Sequence, residues 1–150
     1  MLVRIKKLLQ GYSGIRFKIM KEMNGLTDES KFAALKGNDL LLHQLLKRGL
    51  DPNESDNNER TTLHIATFKE KENCVLLLLD YGANPNIRDS GGNIALWEAI
   101  LGGHETITKH LVRKGATLQS GDVVVKDRDI LKMNKITRVL NYVGFGLQEL

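Results

Sequence analysis

The sequence predicts a mostly α-helical solenoid, built from helix–turn–helix pairs joined by short hairpin loops. Three observations predict it. The first is an internal step of 33 residues. Leu63-His64-Ile65-Ala66 is echoed by Leu96-Trp97-Glu98-Ala99, and the same step links Gly49, Gly82 and Gly115. It also links Asp56, Asp89 and Asp122; Leu45, Leu78 and Leu111; and Ala33, Ala66 and Ala99. Five positions sharing one register mark a repeat array, to be sought before any other feature. The second is apolar residues at helical spacing inside each step, as in Leu45/Leu46, Leu78/Leu79 and Leu111/Val112. The third is composition. Aromatics make up 5% of 150 residues, so the interior falls to Leu, Ile, Val and Ala, which suits packed helices better than a sandwich of strands.

Each element follows in order. Residues 1–22 read as a basic arm or capping helix. Repeats are expected at 23–55, weak at its start because Gly25 to Lys31 shows no clear hairpin, then at 56–88 and 89–121. Residues 122–150 read as a degenerate fourth repeat or cap: Asp122 opens in register and Ile130 to Tyr142 has helical character, but no Gly falls at 148. In the second repeat the spacing predicts an inner helix over Arg60 to Phe68 and an outer one over Asn73 to Tyr81, with Val75, Leu78 and Leu79 inward. Gly82 follows as a left-handed helix terminator. Asp89-Ser90-Gly91-Gly92-Asn93 reads as a hairpin turn, and the next inner helix starts near Ile94. The small Ala33, Ala66 and Ala99 let inner and outer helices approach. No unit can bury its apolar stripe alone, so stacking supplies the core.

Thr61-Thr62-Leu63-His64-Ile65-Ala66 resembles the T-P-L-H-x-A signature of ankyrin repeats, with Thr62 in place of Pro, and 33 is the ankyrin length. A more specific resemblance covers about residues 32–123. The run Asp39 to Asp56, then Thr62 to Ala66, Asn73 to Leu79, Leu96 to Ala99, Gly103-His104-Glu105 and Gly121-Asp122-Val123 are similar, in order, to the ankyrin region of plant Shaker-type voltage-gated potassium channels of the inward-rectifying root type. The resemblance implies a cytosolic, non-catalytic docking platform for a regulatory kinase or phosphatase, or for parent channel subunits, in a family of the plasma membrane. The sequence holds no voltage sensor, T-x-G-Y-G filter or nucleotide-binding domain, so a truncated or diverged copy is the expectation, and a non-functional remnant is the alternative. Glu59 stands where the family's hairpin has Gly. Glu70 stands where the flanking repeats have Gly37 and Gly103, and each forced positive φ costs on the order of 1 kcal/mol. Thr67 replaces the family's Ala with a β-branched residue.

Charge and chemistry exclude several function classes. Residues 1–21 hold Arg4, Lys6, Lys7, Arg16, Lys18 and Lys21 and no acid; the rest carries 16 basic against 18 acidic residues. The body is slightly acidic, so no nucleic-acid face is expected. Leu2, Ile5, Leu9 and Tyr12 give the arm helical amphipathicity, and weak contact of residues 1–21 with anionic membrane is a further alternative. The arm is as basic and acid-free as a transit peptide but contains one Ser, Ser13. No apolar run approaches the roughly 18 residues of a membrane span. The lone Cys74 falls on an apolar stripe and reads as a buried thiol in a reducing compartment.

His43, His64, His104 and His110 have no metal-ligand spacing, and Gly91-Gly92 and Gly102-Gly103 lack the Walker pattern. No cofactor, metal or enzymatic role is expected. His64 is assigned to hydrogen bonding between neighbouring turns, and Trp97 to packing between repeats. Protein contacts are expected from hairpin tips and inner-helix ends, at Asn57, Asn58, Arg60, Phe68, Lys69, Ser90, Asn93 and Leu101, with exposed Phe68 as the anchor.

Overall fold

The computed structural model describes residues 28–119. Six helices run through them in inner–outer pairs: α1 over 28–36 and α2 Asp39–Lys47; α3 Thr62–Phe68 and α4 Glu72–Asp80; α5 Ala95–Gly102 and α6 Glu105–Arg113. Inner helix α3 packs on α5, outer helices α2, α4 and α6 pack in series, and each of α3 and α5 packs on its own outer partner. Among the described residues the only extended pairing is one antiparallel bridge, Ser55 with Thr61.

The turns explain why the chain reverses where it does. At the end of α2, the amide of Leu50 reaches Leu45 O at 3.1 Å and that of Gly49 reaches Leu46 O at 3.1 Å. Gly49 has φ +96. This 6→1 and 5→2 pattern is the Schellman closure. It recurs at Gly82–Ala83 and Gly115–Ala116, and again at the inner-helix ends, where Asn38, Lys71 and His104 donate to the carbonyls of Ala33, Ala66 and Ala99 at 2.8, 2.8 and 2.9 Å. The alanines have a double role: they permit close approach and their carbonyls anchor each reversal. All three are fully buried, as are Leu78 and Leu111, with Leu45 at 1% exposure. A fully buried Leu contributes about 2–3 kcal/mol, and these three lie one per outer helix along a single continuous core.

The positive φ expected at Glu59 and Glu70 is present, at +57 and +55. One step away, Gly92 (φ +80) matches Glu59, and Gly37 (φ +72) and Gly103 (φ +70) match Glu70. The inner helix of the middle pair starts later than the periodicity suggests. Arg60 and Thr61 belong to the hairpin, because Asp56 Oδ1 collects the amides of Asn58 (2.8 Å) and Arg60 (3.0 Å) and the Asp56 amide donates to Arg60 O (3.1 Å). Thr61 is therefore the N-cap. The outer helix is shifted one residue earlier than expected, to Glu72–Asp80. The basic arm over 1–22 and the terminal unit over 122–150 lie outside the described residues. Among those described, no helix is long and apolar enough to cross a membrane.

Candidate protein-docking surface

The hairpin tips are built by two aspartates in the same way. Asp89 Oδ1 accepts from the amides of Gly91 and Asn93, each at 2.9 Å, and the Asp89 amide donates to Asn93 O at 2.9 Å. Asp56 does the same one step earlier. An aspartate that satisfies the amides two and four residues ahead closes a tight loop. Adjacent tips are joined by the Ser90 amide, which donates to Asn58 O at 2.9 Å.

Behind the tips lies His64. Its Nδ1 accepts the Thr61 amide at 3.2 Å, and Nε2 lies 3.1 Å from Asn93 O. The first bond requires a bare Nδ1, so the ring is neutral and donates from Nε2 to the next hairpin. Burial lowers its pKa below the usual 6.5, against an opposing pull from the Asn93 carbonyl. The role expected for His64 is the one it fills. Trp97, at 6% exposure, is likewise part of the packed interior.

The exposed inner-helix ends carry the aromatic. Phe68 is 57% exposed. The Arg60 guanidinium carbon lies 5.6 Å from its ring centroid and Lys69 Nζ 5.1 Å, within cation–π range. Arg60 also spans the stack: its Nη2 donates to Glu98 Oε1 at 2.8 Å. Burial pushes the Glu98 carboxyl up to about 7, with Arg60 restraining the rise and Asp89 adding to it.

The residues expected to make contacts divide accordingly. Asn57, Asn58, Phe68, Lys69 and Ser90 are exposed. Arg60 is half-buried and held by Glu98. Asn93 is half-buried, its Nδ2 turned back 3.3 Å to Asp89 Oδ1. Leu101 is half-buried against the core.

Sequence reasoning missed two features. Leu35 (41% exposed), Phe32 (56% exposed) and Lys36 share this inner-helix row, and Leu35-Lys36 lies one 33-residue step before Phe68-Lys69, a signal that was available. The second is a ladder on the opposite turns. Asn53 Oδ1 accepts the Asn84 amide at 2.6 Å while its Nδ2 donates to Gly82 O at 3.3 Å, and Asn86 does the same to Thr117 and Gly115, each at 2.9 Å.

Cys74 is fully buried and its thiol is pushed up to about 11, chiefly by burial; the thiolate that reactivity needs is disfavoured. Among the described residues no three His, Cys, Asp or Glu side chains gather to hold a metal ion. The surface offers shape, apolar area and charge.

Ankyrin repeats, in three copies, match residues 31–122. The chain belongs to the ankyrin-repeat family. Its ankyrin region is similar to the potassium channel AKT1 of Arabidopsis thaliana, 75% identical over 52 residues, which is 35% of this chain and 6% of the relative. Similarity to the Arabidopsis potassium channel AKT6 extends further, 59% over 115 residues, or 77% of this chain and 13% of the relative. A fission-yeast relative, the glycerophosphocholine phosphodiesterase gde1 of Schizosaccharomyces pombe, is 36% identical over 85 residues, 56% of this chain and 8% of its own length. The chain therefore spans between 6% and 13% of these relatives. Ankyrin repeats mediate protein–protein contact, and the similarity to the channels covers a small share of their length.

Proposed function

We propose that the chain is a non-enzymatic docking module equivalent to the cytosolic regulatory tail of a voltage-gated potassium channel, binding a regulatory kinase or phosphatase, or channel subunits, at the cytosolic side of the plasma membrane. The observation that carries this reading is Phe68. A large aromatic more than half exposed, with the Arg60 and Lys69 cations 5.6 and 5.1 Å from its ring centroid, has the composition of an interface anchor. Similarity to AKT1 and AKT6 supports the choice of partner class.

The test is capture of a cytosolic protein kinase that regulates such channels by the immobilised chain. Phe68→Ala and Lys69→Glu should each reduce capture at least about tenfold, the scale of a hot-spot loss. Undiminished capture by both variants removes this surface from the reading.

The strain at Glu59 and Glu70, with the unpartnered buried hydroxyl of Thr67, favours a second reading, a non-functional remnant that folds weakly. It requires a broad, low-amplitude thermal transition by circular dichroism; a sharp cooperative melt rejects it.

A further inference from the structure

We propose that the inner-helix row takes an acidic peptide segment carrying two apolar anchors, one seated beside Leu35 and one beside Phe68, with its carboxylates meeting Lys36 and Lys69. This deepens the docking reading above and rests on it.

Five large hydrophobic side chains are exposed among the described residues, and three of them, Phe32, Leu35 and Phe68, lie on this row. Isolated exposed apolar residues need no explanation, but a cluster along one face marks a contact surface. Every aromatic in the cluster has a cation over it. Lys36 Nζ is 5.8 Å from the Phe32 centroid, and Lys69 Nζ and the Arg60 guanidinium flank Phe68. The Arg60 guanidinium already faces a carboxylate, Glu98 Oε1 at 2.8 Å. Lys36 and Lys69 have no carboxylate partner among the described residues. Two uncompensated ammonium groups, each beside an apolar patch and one repeat apart, define a ligand with alternating apolar and negative character.

The spacing sets the ligand's register. Packed helices lie about 8–10 Å apart. A polyproline II chain rises about 3.1 Å per residue and completes a turn every three residues, so anchors three residues apart point the same way, about 9 Å apart, and reach equivalent positions on α1 and α3. The charge is local. Residues 28–119 hold 11 basic against 13 acidic residues, a net balance that disfavours an extended anionic bilayer while leaving a short acidic segment attracted to the two lysines.

The probe is a fluorescein-labelled peptide, Glu-Ser-Leu-Glu-Glu-Leu-Ser-Glu, titrated into the full chain by fluorescence anisotropy. One analogue carries Lys for every Glu, another Ser for both Leu. The acidic peptide should bind at least about tenfold more tightly than either analogue, a combined readout of charge and anchors. Lys69→Glu and Lys36→Glu should each weaken it by a similar factor. Both lysines lie at exposed positions, so unchanged circular dichroism will confirm folded variants. Phe68→Ala should do the same.

Equal binding of the acidic and basic peptides, no binding of the acidic one, or indifference to both lysine reversals overturns the inference. So does Phe68-dependent binding to phosphatidylserine vesicles with none to the peptide. Kinase capture that needs Phe68, combined with no preference for the acidic peptide, overturns this inference alone and leaves the docking reading standing.

Discussion

Arg60 and Glu98 meet across two repeats, Nη2 to Oε1 at 2.8 Å, with Arg60 Nε and Glu98 Oε2 buried beside the bond and without partners. The ion pair is incompletely satisfied. A carboxylate taken out of water needs more than one donor to recover its hydration, and the single bond from Arg60 does not supply it. That is why the Glu98 carboxyl stays protonated up to about 7 instead of the usual 4.5.

A stability profile follows with a definite sign. The folded state holds the Glu98 proton more tightly than the unfolded chain does. The resulting stabilisation is complete below pH 4.5 and is lost as pH rises through about 7. Glu98→Gln keeps an acceptor for Arg60 and removes the ionisation. At pH 8 it should be more stable relative to wild type than at pH 4, by on the order of 2 kcal/mol, read from urea midpoints at the two pH values. A difference independent of pH would show that the carboxylate is comfortably solvated.

His64 titrates with the opposite sign. Its folded pKa is lowered by burial, so its contribution is present above the unfolded value of 6.5 and is lost as pH falls through the folded value. His64→Ala leaves the Thr61 amide and the Asn93 carbonyl unpaired. It should cost about 2 kcal/mol at pH 8 and less at pH 5, with the sloping fall in wild-type stability between those limits reduced. Because Glu98 gains stability over part of the same range, the comparison is best made in the Glu98→Gln background.

The 33-residue register made the core legible. Leu45, Leu78 and Leu111, and Ala33, Ala66 and Ala99, are buried because a repeat places equivalent positions in equivalent surroundings. Register also exposed the strain at Glu59 and Glu70, since neighbouring repeats show Gly where left-handed backbone is required. Interactions off that register were not legible. Arg60 and Glu98 are 38 residues apart, and their meeting depends on how the hairpin of one repeat lies against the inner helix of the next. The Asn53 and Asn86 rungs do share the step, but an Asn in a Pro-Asn turn reads as local turn chemistry until stacking brings the following loop within 2.6 Å of Asn53. The late start of α3 has a similar origin: Asp56 holds Arg60 in the hairpin with a side chain four residues away.

Glycine at the two strained positions should stabilise the chain. Glu59→Gly and Glu70→Gly each remove a non-glycine residue from φ near +55, worth roughly 1 kcal/mol apiece. Glu70 also lies 3.4 Å from His104 Nδ1, but its side chain is 70% exposed, and such surface pairs contribute about 0–1 kcal/mol. The backbone term wins. The two sites share no partner among the described interactions, so the gains should add within about 0.5 kcal/mol. Thermal melts of both single variants and the double variant measure this; a destabilised Glu70→Gly would mean that the His104 contact outweighs the strain.

Thr67 gives the sharpest separation of shape from polarity. It is fully buried in α3 and its Oγ1 has no hydrogen-bond partner. A hydroxyl stripped of water without replacement costs about 1–3 kcal/mol. Thr67→Val keeps the volume and the β-branch while deleting the orphan oxygen, and should raise stability by about 1 kcal/mol, or roughly 4–8 °C in Tm for a domain of this size. Thr67→Ala also deletes the hydroxyl and improves helix propensity, but it removes the γ-methyl as well and leaves a buried gap of two heavy atoms, which costs about 1–2 kcal/mol. Valine should therefore match or exceed alanine. If alanine is clearly the more stable of the two, the β-branch and not the buried hydroxyl is what weakens the middle repeat.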